Sequence, residues 1–366
     1  MEDYVQQQML TYLGNKRKLI PQIEEIVSSL KQKTRKDKLV ILDAFTGSAV
    51  VARALAKHAS VIHANDMEEY AALGAKCFLE TPTPEDQILI RELIARANTL
   101  AANGPWHAGV ITQNYAPENT ENIKMGERCF FTHENGLRID TIRKFIDDEV
   151  PERLRAYILT PLIVKCSQNT NTNGQFQAFH KNREGFGQWG GHYQTSLPRI
   201  KGPIVLECPK WSSGFEGRAH NLDVIKCLET FEDGSLDVVY LDPPYNHRQY
   251  SYMYFLLNVI AENKMPERAN GGGAPVPADR NDSQFCRKKE AKDAMKKLLE
   301  MCVRKSRFTI LSYNNEGLIP AADFDKIMEP FRNTKFEFDH RRFNARGDED
   351  ETVPKKVKEI MYVIRA

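Results

Sequence analysis

One short stretch of this 366-residue chain constrains its fold more than any other. Residues 39–42 form the apolar run Leu-Val-Ile-Leu, which is typical of a central strand in a parallel sheet. The run leads to Asp43, a turn with Gly47 follows, and the alanine-rich residues 49–58 predict a helix. A strand, a glycine-containing turn and a helix in this order are the first unit of a nucleotide-binding α/β sheet.

The next predicted strand also ends in an acid. Residues 60–65 form this strand, and Asp66 lies 23 positions after Asp43. Nucleotide-binding α/β folds place a ribose-binding acid about 20 residues further on. The spacing predicts that Asp66 binds the two ribose hydroxyls; a solvated aspartate at a strand end is the alternative. The turn at 43–48 has a single glycine, so a nicotinamide-dependent dehydrogenase with its G-x-G-x-x-G pattern is disfavoured.

A further buried strand, residues 238–241, stops at the sequence Asp242-Pro243-Pro244-Tyr245. Two prolines cannot continue a sheet, because neither has an N–H group to donate. The carboxylate of Asp242 and the carbonyl of Pro243 can both accept hydrogen bonds from one amino group, and Tyr245 can stack on a flat ring. The tetrapeptide predicts a site for the exocyclic amine of a nucleobase; a proline-stiffened turn is the alternative.

A glycine-containing turn also lies near the N-terminus. Gly14-Asn15 is a turn signal, and apolar residues at helical spacing follow it from residue 19 to residue 30. Lys16 stands beside the start of this predicted helix, where the helix dipole favours anions. The pattern is compatible with a carboxylate-binding corner and with an ordinary basic helix start.

Composition excludes several classes of protein. The formal net charge of +2 is nearly balanced, so overall charge does not indicate a polyanionic partner. The seven cysteines are scattered without a C-x-x-C pair, which favours reduced thiols in a cytoplasmic protein and gives no sign of a zinc site. No long apolar run is present, so we expect neither a signal peptide nor a membrane span.

The alternation of strands and helices is lost in the middle of the chain, where the pattern is mainly helical with a turn at Asn135-Gly136. Residues 167–193 mix Asn, Gln, Arg and Lys with aromatic residues and glycines. Such side chains can read base edges and stack on bases, although any surface loop can have this composition. We expect this stretch to contact nucleic acid.

Basic and polar residues near the other motifs are further candidates for DNA contact. Arg248 and Gln249 follow the proline motif closely, where they could meet phosphates or bases. Arg341 and Arg342 belong to the clearest basic cluster, which could bind phosphates or could be surface charge without a partner. Apolar patterns predict a buried strand from residue 308 and an antiparallel pair near the end of the chain.

Four separated motifs resemble those of the D12-class adenine-N6 DNA methyltransferases, and they occur in that family's order. They are Tyr12-Leu-Gly14-Asn-Lys16, Asp43-Ala-Phe45-Thr-Gly47, Asn65-Asp66 and Asp242-Pro243-Pro244-Tyr245. The chain departs from the related Asp-x-Phe-x-Gly-Ser-Gly motif at its last position, where Ala49 replaces glycine. Alanine is tolerable there with helical dihedrals and unfavourable with a positive φ, so cofactor affinity depends on this residue.

The resemblance implies a Rossmann-like α/β fold: a mostly parallel sheet with helices on both faces, a reversed strand, and an inserted, mainly helical target recognition domain. It places the catalytic domain at residues 1–80 and 216–366, and the recognition insert at 81–215. The implied cofactor is S-adenosyl-L-methionine, bound by Tyr12, Gly14, Lys16, Asp43, Phe45, Gly47, Asp66 and Asp223. For Asp223, which would bind the adenine amine of the cofactor, a helix N-cap is the rival interpretation.

The resemblance also implies a reaction and partners. The target adenine would be flipped out of double-stranded DNA onto Tyr245, and Asp242 and Pro243 would bind its N6 amine. Residues 246–250 resemble the restriction-modification branch, so a cognate restriction endonuclease is a possible partner. An RNA or cytosine-N4 methyltransferase could use the same amine chemistry, and a DNA-binding subunit with a weakened cofactor pocket is the third alternative.

Overall fold

The computed structural model describes residues 2–8, 10–12, 14–191, 194, 196–264, 281–341 and 356–366. The chain divides into two compact units, each built from separated segments. The first unit comprises Met1–Leu13, Glu68–Ser212 and Tyr250–Asn281. The second unit comprises Gly14–Met67, Ser213–Gln249 and Asp282–Ala366. The domain boundaries predicted at residues 80 and 215 stay predictions.

Within the described residues, the strands of the second unit form one sheet. They are β1 (Leu39–Asp43), β2 (Ala59–Asn65), β3 (Glu216–His220), β4 (Leu236–Leu241), β5 (Ser306–Asn314), β6 (Arg332–Arg341) and β7 (Lys356–Arg365). Their spatial order is β3-β2-β1-β4-β5-β7-β6. Strands β1 to β5 are mutually parallel, and β7 runs antiparallel to both β5 and β6. The predicted α/β fold with a reversed strand is therefore confirmed.

The helices account for most of the remaining regular structure. They are α1 (Glu2–Gln6), α2 (Ile20–Thr34), α3 (Val50–Leu55), α4 (Glu69–Leu79), α5 (Pro84–Asn103), α6 (Val110–Tyr115), α7 (His133–Glu149), α8 (Arg155–Asn169), α9 (Leu197–Lys201), α10 (Val224–Glu229), α11 (Tyr250–Met253), α12 (Phe255–Glu262), α13 (Ala291–Lys305) and α14 (Ala321–Met328). Among the described residues, no helix is both long and apolar enough to cross a bilayer.

Strand β4 lies in the centre of the sheet, and its sequence explains why. All six of its residues are buried, as expected for a strand that is covered on both faces. Leu236, Val239 and Leu241 join an apolar cluster with α13, which contributes Leu298 and Leu299. This packing fixes the carboxyl end of β4, and with it the start of the Asp-Pro-Pro-Tyr sequence.

The first unit is mainly helical, and one sequence expectation within it was wrong. Asn135 and Gly136 do not form a turn but lie in the first turns of α7. The hydroxyl of Thr132 caps this helix by accepting a hydrogen bond from the Asn135 N–H group at 3.1 Å. A Cβ on Gly136 would lie 3.1 Å from the Thr112 Cα atom, so glycine serves close helix packing here.

Candidate active site

The carboxyl end of β4 holds a cluster of charges in which Lys16 and Glu359 are buried and Asp242 is partly exposed. The Lys16 Nζ atom lies 2.8 Å from Oδ1 of Asp242 and 3.1 Å from Oε1 of Glu359. It also lies 5.8 Å from the centre of the Tyr245 ring. Lys16 is only 4% exposed. One ammonium group therefore joins the predicted amine-binding motif to strand β7.

The charges of this cluster set one another's proton affinities. Burial raises the pKa of Asp242; the Lys16 ammonium lowers it and Glu359 raises it, with a result of about 6. Burial alone would lower the pKa of Lys16, but the carboxylates of Asp242 and Glu359 outweigh it, and that pKa lies well above its usual value. At neutral pH, Lys16 is a cation and most Asp242 carboxyls are ionised.

Sequence reasoning missed Glu359. It is 3% exposed and lies in β7 close to Met361, which is completely buried. Its Oε1 atom accepts a hydrogen bond of 2.6 Å from the hydroxyl of Ser312, on the neighbouring strand β5. The signal that could have found it is its position as the only acid of β7, directly before the apolar run at residues 360–364, because a buried carboxylate needs partners.

Asp43 organises the turn between β1 and α3. Its Oδ2 atom accepts hydrogen bonds from the Thr46 hydroxyl at 3.2 Å and from the Ala52 N–H group at 3.1 Å. Its Oδ1 atom is buried and has no hydrogen-bond partner among the described residues. Burial raises the pKa of Asp43 to about 7. The turn thus presents an unsatisfied acceptor of the kind that a cationic ligand would complete.

The structure brings Asp66 to the same turn. The N–H group of Gly47 donates a hydrogen bond of 2.8 Å to Oδ2 of Asp66. Gly47 has a φ of 50°, a left-handed conformation that glycine adopts without strain. Phe45 packs edge-on against Phe285, with ring centres 5.5 Å apart. Two predicted strand ends, at Asp43 and Asp66, therefore meet around Gly47.

Ala49 has the conformation that the sequence comparison left open. Its φ is 60°, so the residue lies in the left-handed region that is unfavourable for alanine. This conformation is about 1–2 kcal/mol less favourable for an L-residue than for glycine. It is held by a hydrogen bond of 2.7 Å from the Ala49 N–H group to the Thr46 carbonyl.

Asp223 caps helix α10, as its rival interpretation expected. Its Oδ1 atom accepts hydrogen bonds from the N–H groups of Ile225 at 3.0 Å and Lys226 at 3.4 Å. The preceding loop is fixed by Asn65, whose side chain bonds the carbonyl of Leu222 at 3.1 Å and its N–H group at 3.2 Å. The cap interpretation is confirmed, and a contact between Asp223 and cofactor adenine stays a prediction.

Two predicted cofactor residues from the N-terminal motif lie in different units. Gly14 begins the second unit and has a φ of 75°, which agrees with the predicted turn. Tyr12 belongs to the first unit, where its ring stacks on Tyr254 at 4.9 Å and on Tyr250 at 5.3 Å. The cofactor role of Tyr12 stays a prediction.

The candidate DNA contacts differ in how their side chains are used. Arg248 is exposed. The amide of Gln249 is engaged on both sides by the backbone of Ser283, donating to its carbonyl at 3.0 Å and accepting from its N–H group at 2.8 Å. Arg341 is the last residue of β6, and Arg342 lies outside the described residues.

The polar stretch in the first unit contains a structural asparagine. Asn171 is completely buried. Its Nδ2 atom donates to the carbonyls of Cys129 at 3.0 Å and Gln188 at 3.1 Å, and its Oδ1 atom accepts from the Gly190 N–H group at 3.0 Å. Asn171 therefore shapes the loop instead of reading bases, whereas the other polar residues there remain candidates.

Comparison of the sequence with known proteins finds matches over most of the chain. Residues 12–188 and 223–321 match the family model of D12 class N6 adenine-specific DNA methyltransferases. The chain is 28% identical over 344 residues to the type II methyltransferase M.NlaIII of Neisseria lactamica, covering 92% of this chain and 93% of that protein. It is 27% identical over 350 residues to M.CviAII of Paramecium bursaria Chlorella virus 1, covering 91% and 92%. A match to M.FokI of Planomicrobium okeanokoites, 27% identical over 330 residues, covers 87% of this chain but 47% of that protein.

Proposed function

Because this chain belongs to the D12 class of N6 adenine-specific DNA methyltransferases, we propose that its second unit transfers methyl from S-adenosyl-L-methionine to adenine N6 in a specific duplex sequence. The observation that carries the proposal is the placement of Asp242. Its carboxylate stands at the carboxyl end of a central parallel strand, the edge where α/β sheets bind ligands. The buried Lys16 ammonium helps to keep it ionised.

The cofactor fits the turn after β1. The buried Oδ1 atom of Asp43 lacks a hydrogen-bond partner among the described residues, and a positively charged amino group would satisfy it. The carboxylate of Asp66 has several acceptor positions, so it can bind ribose hydroxyls while it holds the Gly47 N–H group. When bound, S-adenosyl-L-methionine supplies an electrophilic methyl group carried on a positively charged sulfur. Asp43, Gly47 and Asp66 would hold it.

The chain's own residues act on the substrate amine. Asp242 and the carbonyl of Pro243 accept its two hydrogens, which concentrates the lone pair on N6 instead of in the ring. Tyr245 offers its ring to a base that has been flipped out of the duplex. That ring meets Tyr313 edge-on at 6.4 Å, which limits its rotation. Positioning of this kind can contribute roughly 7–11 kcal/mol to catalysis, so no covalent enzyme intermediate is required.

Lys16 contributes to this site through Asp242. Its ammonium is already bound by two carboxylates of the protein, which argues against a main role in binding a carboxylate of the cofactor. We propose instead that Lys16 maintains the charge and orientation of Asp242. Arg248, Arg341 and Arg342 are proposed to contact DNA phosphates, with Gln249 held in place by Ser283.

A restriction-modification role follows from the relatives. M.NlaIII and M.CviAII are named type II methyltransferases, and the chain covers more than nine-tenths of each. We therefore propose a cognate restriction endonuclease that cuts the same sequence when it is unmethylated. Protection of DNA that has been treated with this enzyme would identify the matching endonuclease specificity.

The test is methylation of a random double-stranded DNA library, with modified positions mapped and nucleosides identified by mass. We expect N6-methyladenine in one short sequence, and none with Asp242→Ala, which should still bind the cofactor. A finding of N4-methylcytosine, or of methylation in RNA alone, would show that the substrate is not adenine in DNA. Full activity of Asp242→Ala would remove the role given to that carboxylate.

A further inference from the structure

Glu359 is a buried charge that the proposed reaction does not yet use. Removing a carboxylate from water is unfavourable by several kcal/mol, which only close partners offset. Glu359 has two such partners on one atom, because Oε1 accepts from the Ser312 hydroxyl at 2.6 Å and from Lys16 at 3.1 Å. Its position in β7 is also fixed, since Glu359 pairs with Asn314 of β5.

The second contact places Glu359 one step from Asp242. Lys16 lies between the two acids, 2.8 Å from Asp242 and 3.1 Å from Glu359. An ammonium has three hydrogens, so it can serve both acids at once. With Asp242 as its only partner, Lys16 would hold that carboxylate more tightly and draw electron density from it. Glu359 shares the cation and adds negative charge nearby.

Resting on the proposed function, we infer that Glu359 is a positioning residue for methyl transfer, acting through Lys16. Glu359 draws the Lys16 ammonium toward β7. Asp242 is then oriented by Lys16 but can still bind the substrate amine. Glu359 does not touch the substrate in this arrangement. Its contribution is the geometry of Lys16 and the proton affinity of Asp242.

The proton balance of the reaction explains why this matters. The N6 lone pair forms a bond to the methyl carbon, and the electrons of the sulfur–methyl bond return to sulfur, which becomes a neutral thioether. The positive charge then resides on the amine, which must release a proton. Asp242 is the acceptor and passes the proton to solvent. Glu359 favours this step because it offsets the effect of Lys16 on the proton affinity of Asp242.

Other ionisable groups also act on Asp242. The phenols of Tyr240 and Tyr245 and the carboxyl of Asp43 each interact with it electrostatically. Tyr240 and Tyr245 have pKa values above their usual range, mainly because of burial, so neither becomes an anion near neutral pH. The effect of Glu359 on the proton affinity of Asp242 must therefore be distinguished mainly from the effects of Lys16 and Asp43.

The first test is Glu359→Gln, which keeps the shape and the acceptor for Ser312 but removes the charge. We expect kcat to fall on the order of tenfold with little change in KM, because positioning at the transition state is lost. The negative charge of Glu359 raises the proton affinity of Asp242. Its removal should therefore lower that affinity and move the acid limb of the pH profile to lower pH. Glu337→Gln, a neutralised exposed glutamate of the neighbouring strand β6, is the matched control and should leave kcat and the profile unchanged.

The second readout needs neither cofactor nor DNA. The Asp242 carboxyl carbon can be followed by NMR through a pH titration in aspartate-labelled protein, with Asp242→Asn to identify the signal. Glu359→Gln should move its midpoint to lower pH, and Glu359→Asp, which keeps the charge at a greater distance, should move it less. If the midpoint and the pH profile match the unmutated protein, the inference is wrong.

These measurements separate the two proposals. If the enzyme methylates no adenine but the Asp242 midpoint still shifts, the proposed function fails and the coupling stands. If Asp242→Ala loses methylation while Glu359→Gln keeps the unmutated kcat, the proposed function stands and the role of Glu359 fails. If Glu359→Gln does not fold, Glu359→Asp carries both readouts.

Discussion

The ion pair between Lys16 and Asp242 is asymmetric: the lysine side chain is 5% exposed, whereas the aspartate side chain keeps 20% of its surface exposed. Asp242 is therefore the member that can still reach a substrate, and Lys16 supports it from the protein side. A pair of equally buried charges would hold each other without serving a ligand. This asymmetry is the physical basis for giving Asp242 the contact with the amine.

Replacing Lys16 should therefore act through Asp242. In Lys16→Met the cation that lowers the pKa of Asp242 is gone, while burial and Glu359 continue to raise that pKa. The pKa of Asp242 should then exceed its value of about 6 in the unmutated protein. Loss of a close opposite charge shifts a carboxyl by about 1–3 pH units. We expect the acid limb of the kcat profile to move to higher pH, opposite to Glu359→Gln.

Lys38→Met is the matched control, because Lys38 is exposed and bonds only the carbonyl of Lys57 in the described contacts. Its pH profile should coincide with that of the unmutated enzyme. An acid limb that stays in place in Lys16→Met would show that Lys16 does not set the charge of Asp242.

Asp43 should make stability depend on pH. Its pKa is about 7 in the folded protein, because of burial, against the usual 3.8. A carboxyl whose folded pKa is raised favours folding fully below its unfolded pKa and loses that contribution as pH rises through the folded value. The loss between pH 4 and 8 is at most about 4 kcal/mol, from a shift of about three units.

The measurement is urea unfolding of Asp43→Asn across this range. Because asparagine does not ionise, its free energy of unfolding should fall less between pH 4 and pH 8 than that of the unmutated protein. Asp37→Asn, at an exposed position, should follow the unmutated curve. Parallel curves for Asp43→Asn and the unmutated protein would contradict the raised pKa.

The sequence predicted what depends on neighbours along the chain and missed what depends on distant ones. The end of β4 at Asp242 follows from two prolines, so it was visible in the sequence. Glu359 meets Ser312 because β5 pairs with β7, and it meets Lys16, which lies before α2 and is more than 300 residues away in the sequence. Asn135-Gly136 has the composition of a turn, but the Thr132 cap and close packing against Thr112 place both residues in a helix.

Ala49→Gly tests strain that no sequence pattern revealed. Relief of the left-handed conformation is worth about 1–2 kcal/mol, and loss of a buried methyl group opposes it by about 0.8 kcal/mol. The free energy of unfolding should therefore change by no more than about 1 kcal/mol. Ala54→Gly, also buried but inside α3, gains no such relief and should lose about 2 kcal/mol.

Chemical unfolding of both variants gives the comparison directly. Equal destabilisation by the two glycines would mean that Ala49 is not strained. Titration with S-adenosyl-L-methionine adds a functional readout, since a turn that glycine relaxes should bind the cofactor at least as tightly. Unmeasurable binding in both the unmutated protein and the Ala49→Gly variant would favour a DNA-binding subunit over an enzyme.

Arg248 should contribute to DNA affinity through phosphate contact. It is exposed and follows Asp242 by six positions, on the side of the sheet edge where β4 ends. Removing one phosphate contact lowers the slope of log affinity against log salt by about one. We expect Arg248→Ala to weaken binding of the mapped target duplex and of unrelated duplexes alike, with this smaller slope, while cofactor affinity is unchanged.

Arg307→Ala is the matched control, because Arg307 is exposed at the amino end of β5, a strand parallel to β4, and so lies at the opposite edge. Fluorescence anisotropy over a salt series measures both variants, and equal slopes for Arg248→Ala and Arg307→Ala would place Arg248 away from the DNA backbone.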